Sequence, residues 1–292
     1  MTATAVTERH AAPQRAAGKA LLQILVDPNR AHAAADHVAV IVAHPDDETI
    51  GCGAQLHRLD NVTVVVATNG APRDGADARA HGYASPTAYA AARERELCNA
   101  LVLANLPASR IVELGFSDQT TAFRLADLTR AIIVLVAARD IKVVLSHAFE
   151  GGHPDHDATA FAVHAVAAIR RRHGQALDVI EMPFYHRKDH GWTTQRFSRH
   201  PRQPAIAVRL NAAERDWKRR MVAAHTTQRA TLSAFDSDVE RFRLAPAYDF
   251  HSLPNRGKLL YEQYNWGLTG KSWLMLSRSA MNELGLVGER WF

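Results

Sequence analysis

Two runs of continuous apolar, largely β-branched residues open the regular part of the chain. They are residues 37–43 (HVAVIVA) and 61–67 (NVTVVVA). Runs of this length and type fit strands buried on both faces. Residues 49–59 between them follow a helical pattern, so the spacing is strand, helix, strand, and favours a parallel sheet. A helix over residues 19–26 precedes them and is closed by Asp27-Pro28. The alternation continues with a helix over 87–103, a short strand over 110–114, a helix over 122–139, a strand over 141–146, a helix over 153–173 and a strand over 176–182. Residues 68–86, rich in Gly, Ala, Asp and Arg, read as a loop of unusual length for a connector. Beyond Phe184 the pattern is less regular, apart from a helix over 211–235. The stretch 243–292 is rich in Trp, Tyr and Gly and is expected to pack over the sheet as a cap. The fold class predicted is α/β, a mostly parallel sheet with helices on both faces and an aromatic-rich C-terminal cap. The expected division is a mobile arm over 1–18, a main domain over 19–240 and an extension over 241–292 that packs on the same domain.

Composition narrows the partners. The 292 residues are 47% hydrophobic and 22% charged, with a formal net charge of +5, which is ordinary for a globular protein. No stripe of basic residues interleaved with aromatics is present, so nucleic acid is not an expected partner. The longest apolar run, 131–138, is far too short to span a membrane. Residues 1–18 lack the apolar core of a secretory signal, so a cytoplasmic protein is expected. Cys52 and Cys98 fit neither a zinc nor a redox spacing and are read as buried free thiols.

Two clusters carry the candidate chemistry. Ala43-His44-Pro45-Asp46-Asp47-Glu48 directly follows the first apolar strand, and Gly151-Gly152-His153-Pro154-Asp155-His156-Asp157 follows the strand over 141–146. Both lie where a strand hands over to a helix. In an open parallel sheet those are the carboxyl ends of strands, where ligands bind, so loops distant in sequence can meet. His44, Asp47 and His156 then offer two imidazole nitrogens and one carboxylate to a metal and leave a coordination position for water, as in a catalytic zinc site. Asp46 adjoins Asp47 but points elsewhere, and is placed to act as general base toward the water. His153, three residues before His156, shares its helix face and can stabilise an oxyanion or protonate a leaving amine. Pro154 suits the first helical position. Asp155 is placed to orient one of the imidazoles, and Glu48 to orient His44 or the first helical turn. His147 is read as packing or making a local hydrogen bond near the site and His225 as a capping or core histidine. A packing role is preferred for Trp266 and Trp273.

These motifs resemble those of the PIG-L/LmbE-like deacetylases. AHPDDE stands unaltered at 43–48 and HPDH at 153–156. Arg93-Glu94-Arg95-Glu96 is similar to the family's RxxE-type helix, Gly115-Phe116-Ser117-Asp118 to its GF-x-D turn, and 218–228 (KRRMVAAHTTQ) to its late helix ending in H-x-x-Q. The resemblance covers roughly residues 35–235, with a weaker match at 245–250. It implies a Rossmann-like fold and zinc-dependent hydrolysis of an N-acetyl group from an N-acetylglucosamine-type amino sugar or glycoconjugate, with release of acetate. By that resemblance His44, Asp47 and His156 hold the metal, Asp46 is the base, His153 is the acid or oxyanion stabiliser, and Arg93 and Asp118 bind sugar hydroxyls. The donor set also suits Fe²⁺ and other divalent metals in vivo. A homo-oligomer is compatible with the sequence.

Rival readings keep the fold and change the role. An amidase could cleave a thiol-conjugate or natural-product amide through the same residues. An Fe(II) oxygenase also uses two histidines and a carboxylate, but commonly as His-x-Asp on an antiparallel barrel. A non-catalytic Rossmann-like binding module is disfavoured by the complete catalytic set, and no GxGxxG follows the first strand. Residues 68–86 and the aromatic C-terminal stretch leave the exact substrate open, since loops above strand ends shape the pocket.

Overall fold

The computed structural model describes residues 15–200, 202–264 and 266–288. The first half contains α1 (Ala16–Val26), β1 (Ala33–Ala34), β2 (Val38–Val42), α2 (Asp47–Leu56), β3 (Leu59–Asp60), β4 (Thr63–Pro72), α3 (Ala76–Ala80), α4 (Pro86–Leu103), β5 (Ile111–Asp118) and α5 (Leu125–Ala138). There follow β6 (Val143–His147), α6 (Pro154–Arg172), β7 (Asp178–Met182), β8 (Tyr185–Arg187), β9 (Trp192–Thr194), β10 (Ile206–Arg209), α7 (Ala212–Ala224), α8 (Arg229–Leu232), β11 (Val239–Leu244) and α9 (Gly270–Glu283).

Seven strands form the main sheet in the order β10-β11-β7-β6-β2-β4-β5. The five from β7 to β5 are parallel, while β11 pairs antiparallel with β7 and β10 antiparallel with β11. Every residue of β2 is buried, and its side chains alternate between two layers. Ala39 and Ile41 join a core with Leu128 and Ile132 of α5, Phe161 of α6 and Trp273 of α9. Val38, Val40 and Val42 join the opposite core, with Leu25 of α1, Ile50 of α2, Leu97 of α4 and Met221 of α7. The α/β class with helices on both faces therefore follows from the apolar runs.

From β2 the chain builds outward to β4 and β5, then returns to β6 and β7 on the other side. β2 and β6 are thus neighbours at the point where the winding reverses, and their carboxyl ends open a crevice. The two motif clusters follow these two strands.

Several elements differ from the sequence expectation. Residues 1–14 of the expected arm lie outside the described residues, but helix α1 already begins at Ala16. There Gly18 is buried and its amide donates to Asp178 Oδ2 at 2.8 Å. The expected loop over 68–86 is largely structured. β4 runs on to Pro72 because two register shifts let it keep pairing with β5 as far as Asp118, and α3 occupies Ala76–Ala80. The helix expected over 211–235 ends at Ala224. Glu96 captures both Thr226 and Thr227 there and draws the chain out of helical continuation. Cys52 is buried, while Cys98 is partly exposed, and both are free thiols.

The C-terminal stretch shares the main core. β11 enters the sheet, and Phe250, Leu259, Tyr261, Leu268 and Trp273 pack in the same cluster as α5 and α6. No described helix is long and apolar enough to cross a membrane.

A buried ion pair stabilises the helix that carries the first motif. Helix α2 is kinked at Cys52 (φ −147°, ψ 21°). Lys218 Nζ donates to the Ile50 carbonyl at 2.7 Å and to Glu240 Oε1 at 2.8 Å, and Ala54 N–H donates to the same Glu240 oxygen at 2.9 Å. The pair thus takes up the carbonyl and amide that an unbroken helix would join to each other. Lys218→Met is expected to cost about 3–5 kcal/mol, because it leaves the Glu240 charge buried without its cation. Urea unfolding reads this directly, and an unchanged midpoint would contradict it.

Candidate active site

The first motif leaves β2 at Ala43 and enters α2 at Asp47. Asp46 makes the turn, with a φ of 127° and ψ of −27°. A non-glycine residue held at such an angle is strained, and strain of this kind gathers at functional sites. Neighbours fix the turn on both sides. Asp47 Oδ2 accepts from His44 N–H at 2.8 Å, and Glu48 Oε2 accepts from Asp46 N–H at 3.0 Å. Glu48 therefore holds the first helical turn and does not orient His44. Its other oxygen accepts from the Thr49 hydroxyl and lies 3.6 Å from His225 Nε2. His225 is the C-cap of α7, fully enclosed, as read from the sequence.

The second motif caps α6. His153 is its N-cap and Pro154 sits at the first helical position. His153 Nδ1 accepts from Asp155 N–H at 3.1 Å, which leaves the ring proton on Nε2. His156 Nε2 lies 3.3 Å from Asp47 Oδ1. Its ring stacks on His147 with centroids 4.1 Å apart. His147 Nε2 accepts from Ala43 N–H at 2.8 Å, so this histidine ties the end of β2 to β6.

His44 is the hub. Its Nδ1 is 3.3 Å from Asp47 Oδ2, and its Nε2 is 3.1 Å from Asp118 Oδ1 and 3.4 Å from Asp155 Oδ2. The imidazole that Asp155 approaches is therefore that of His44. The Asp155 oxygens also accept from Gln119 N–H, Thr121 N–H and the Thr121 hydroxyl. Asp118 stands at the end of β5, which the register shifts of β4 and β5 keep paired across to Pro72.

Arg93 lines the cavity from α4, where the resemblance assigned it to a sugar hydroxyl. Its terminal nitrogens are engaged by protein. One donates to the Gly70 carbonyl at 2.7 Å, and the other to the Pro45 carbonyl at 2.7 Å and to Asp46 Oδ2 at 2.9 Å. One turn further, Glu96 binds Thr226 and Thr227, and Gln228 beyond them donates to Tyr89 Oη at 2.6 Å. The RxxE helix thus links the AHPDDE turn to the H-x-x-Q segment, with Glu96 reaching Thr226 across 130 residues of sequence.

Burial and charge set the protonation of these groups. Burial raises the Asp46 carboxyl, Arg93 opposes it, and the result is a pKa of about 7. Asp47 is held well below the ordinary carboxylate range, because His156, His147 and His44 outweigh its burial. Burial disfavours the charged form of His44, but Asp118, Asp155 and Asp47 overcome it and raise its pKa well above the usual value. His153 is pushed well down by burial and by His44, and is neutral near pH 7.

Two sets of donors lie with their ligand atoms within 4.8 Å of one another: His44, Asp47 and His156, and His44, Asp118, His153 and Asp155. In the second set the Asp155 oxygens are already engaged by backbone amides of 119 and 121. In the first set the Asp47 oxygens face His44 and His156. Both nitrogens of His44 look onto carboxylates, an arrangement that calls for added positive charge. Two imidazoles and one carboxylate, with an outer carboxylate on the far nitrogen of His44, fit a divalent metal.

A cavity of about 300 Å³ opens above these residues. Its lining contains residues that the sequence reading did not single out, among them Asp77, Gln119, Trp192, Phe235 and Tyr264. Tyr185 lines it as well, whereas His186 is buried beside Glu150. Trp273 is a core residue, but Trp266 faces the cavity. Aromatic composition alone does not separate these two, since both flank the start of the same helix.

Residues 39–167 match the family described as PIG-L: GlcNAc-PI de-N-acetylase. This segment is similar to a PIG-L family domain. It contains both motifs and every residue of the His44, Asp47 and His156 set. A curated relative from Bacillus subtilis (strain 168), named a probable N-acetyl-alpha-D-glucosaminyl L-malate deacetylase 2, is 32% identical over 146 residues. The match covers 47% of this chain and 62% of that protein. Its namesake from Bacillus cereus is 30% identical over 141 residues, 46% of this chain and 61% of that protein. The chain thus spans somewhat under two thirds of these relatives' length. In three dimensions it is similar to an A40926 pseudoaglycone deacetylase, with a TM-score of 0.55 and 18% identity over 72% of this chain and 97% of that one. The N,N'-diacetylchitobiose deacetylase from Pyrococcus horikoshii gives a TM-score of 0.51 and 16% identity over 82% and 95%. At such identities the likeness concerns the fold.

Proposed function

We propose that this chain is a metal-dependent hydrolase that removes the N-acetyl group of an N-acetylglucosamine-type amino sugar or glycoconjugate and releases acetate. The observation that carries this reading is the convergence of His44, Asp47 and His156 at the reversal of the sheet, with Asp46 beside them in the grip of Arg93. The names of the relatives agree with it.

His44, Asp47 and His156 would hold the metal, with zinc as the proposed occupant and Fe²⁺ as an alternative. When bound, a divalent ion lowers the pKa of a water toward ~7 and polarises a carbonyl oxygen. The residues of the chain do the rest. Asp46, with a pKa of about 7, takes a proton from the water as its oxygen bonds to the acetyl carbon. His153, neutral with its proton on Nε2, donates a hydrogen bond to the oxygen that gains charge. The carbon–nitrogen bond then breaks, and the proton held by Asp46 passes to the departing amine. Arg93 keeps Asp46 aimed at the water. Asp118 and Asp155 keep the His44 ring in place.

Acetate release from a panel of N-acetylglucosamine derivatives tests the proposal. Treatment with a chelator is expected to abolish release, and Zn²⁺ to restore it. Full turnover after metal has been stripped to below one hundredth of an equivalent would rule out the metal-dependent reading.

A further inference from the structure

We infer that the substrate carries a neutral, aromatic or otherwise apolar aglycone, which lies on an aromatic rim of the cavity and extends outward from His153. The inference rests on the deacetylase reading and adds the chemistry of the group attached to the sugar.

The rim is continuous with the site. The Trp266 ring lies against His153 with centroids 4.6 Å apart, and Tyr264 stacks on Trp266 at 4.6 Å and 12°. On a separate segment, the β8–β9 hairpin, Tyr185 packs near His156 at 5.3 Å and edge-on to Trp192 at 5.7 Å. Tyr264 is 50% exposed and Trp192 48%. They are the exposed Tyr and Trp among the large hydrophobic side chains of the described residues, and both line this cavity. Exposed aromatic faces gathered around a concave site mark a ligand surface rather than ordinary scatter.

Charge points the same way. Among the described residues that line the cavity, Arg93 is the only arginine or lysine. Its terminal nitrogens are committed to Gly70, Pro45 and Asp46, so it has no fork to offer a carboxylate or phosphate. Asp77 and Asp118 add negative charge to the same lining. An anionic aglycone would leave water without a partner and face like charge. A planar uncharged group would instead stack on Tyr264 and Trp192.

The test uses the metal-loaded full chain and acetate release from three probes: N-acetylglucosamine, its 2-naphthyl glycosides and its malyl glycosides, with both anomers of each glycoside. The naphthyl probe is expected to exceed the malyl probe in kcat/KM by about 10-fold, chiefly through KM. Tyr264→Ala and Trp192→Ala, both at exposed positions, are expected to move that ratio toward one by raising KM for the naphthyl probe. A malyl value equal to or above the naphthyl value, or a ratio that neither substitution moves, would overturn the inference. Absence of acetate from all three probes would instead overturn the deacetylase reading, and the aglycone inference with it.

Discussion

Asp46→Asn is expected to slow acetate release by roughly 10²–10⁴-fold while leaving metal affinity close to that of the parent chain. The amide cannot accept the water's proton, but it nearly matches the carboxylate in size. The metal-facing groups would be little disturbed, because Asp46 contacts Arg93 through Oδ2 and Glu48 through its own amide rather than the His44, Asp47 and His156 set. The strained backbone at a φ of 127° is held by Glu48, so the turn should survive. Metal content by elemental analysis and single-turnover acetate release would be measured together. Near-parental turnover in a metal-replete variant would dismiss Asp46 as the base.

Asp47→Ala is the second large effect, and its signature is the reverse. This carboxylate meets His44 N–H, His44 Nδ1 and His156 Nε2 at once. Without it, two imidazoles remain with no anionic partner between them. Metal affinity is expected to fall by more than about 100-fold, since even the loss of an outer partner costs 10–100-fold. Turnover should fall at least as far as for Asp46→Asn and recover in part at high metal concentration, which the Asp46 variant should not do. Isothermal titration with Zn²⁺ separates the two. A variant that retains parental zinc affinity would remove Asp47 from the proposed ligand set and favour the neighbouring set of His44, Asp118, His153 and Asp155.

The two substitutions distinguish residues adjacent in sequence by what each side chain faces. One-dimensional reading supplied the identities, since HPDD and HPDH at strand-to-helix junctions are local patterns. It could also place the junctions on one edge of a parallel sheet, because apolar runs and helical periodicity are set by backbone geometry and burial. It assigned Glu48 a choice of two partners, and the structure gives the helical turn. It assigned Arg93 and Asp118 to sugar hydroxyls through the resemblance, and the structure sets Arg93 on Asp46 and Asp118 on His44.

What the sequence determined by itself is the α/β class, the order of the main elements and the two motif clusters, because each is written in residues within one or two turns of one another. Tertiary structure decided the contacts that make those clusters a site. The register shifts that carry Asp118 toward His44, the reach of Arg93 to Asp46, the capture of Thr226 and Thr227 by Glu96, and the turning of Trp266 outward while Trp273 is buried all depend on strand order and packing. The physical reason is that periodicity is a property of one segment, whereas a buried charge takes its partner from whichever segment the fold brings within hydrogen-bonding distance.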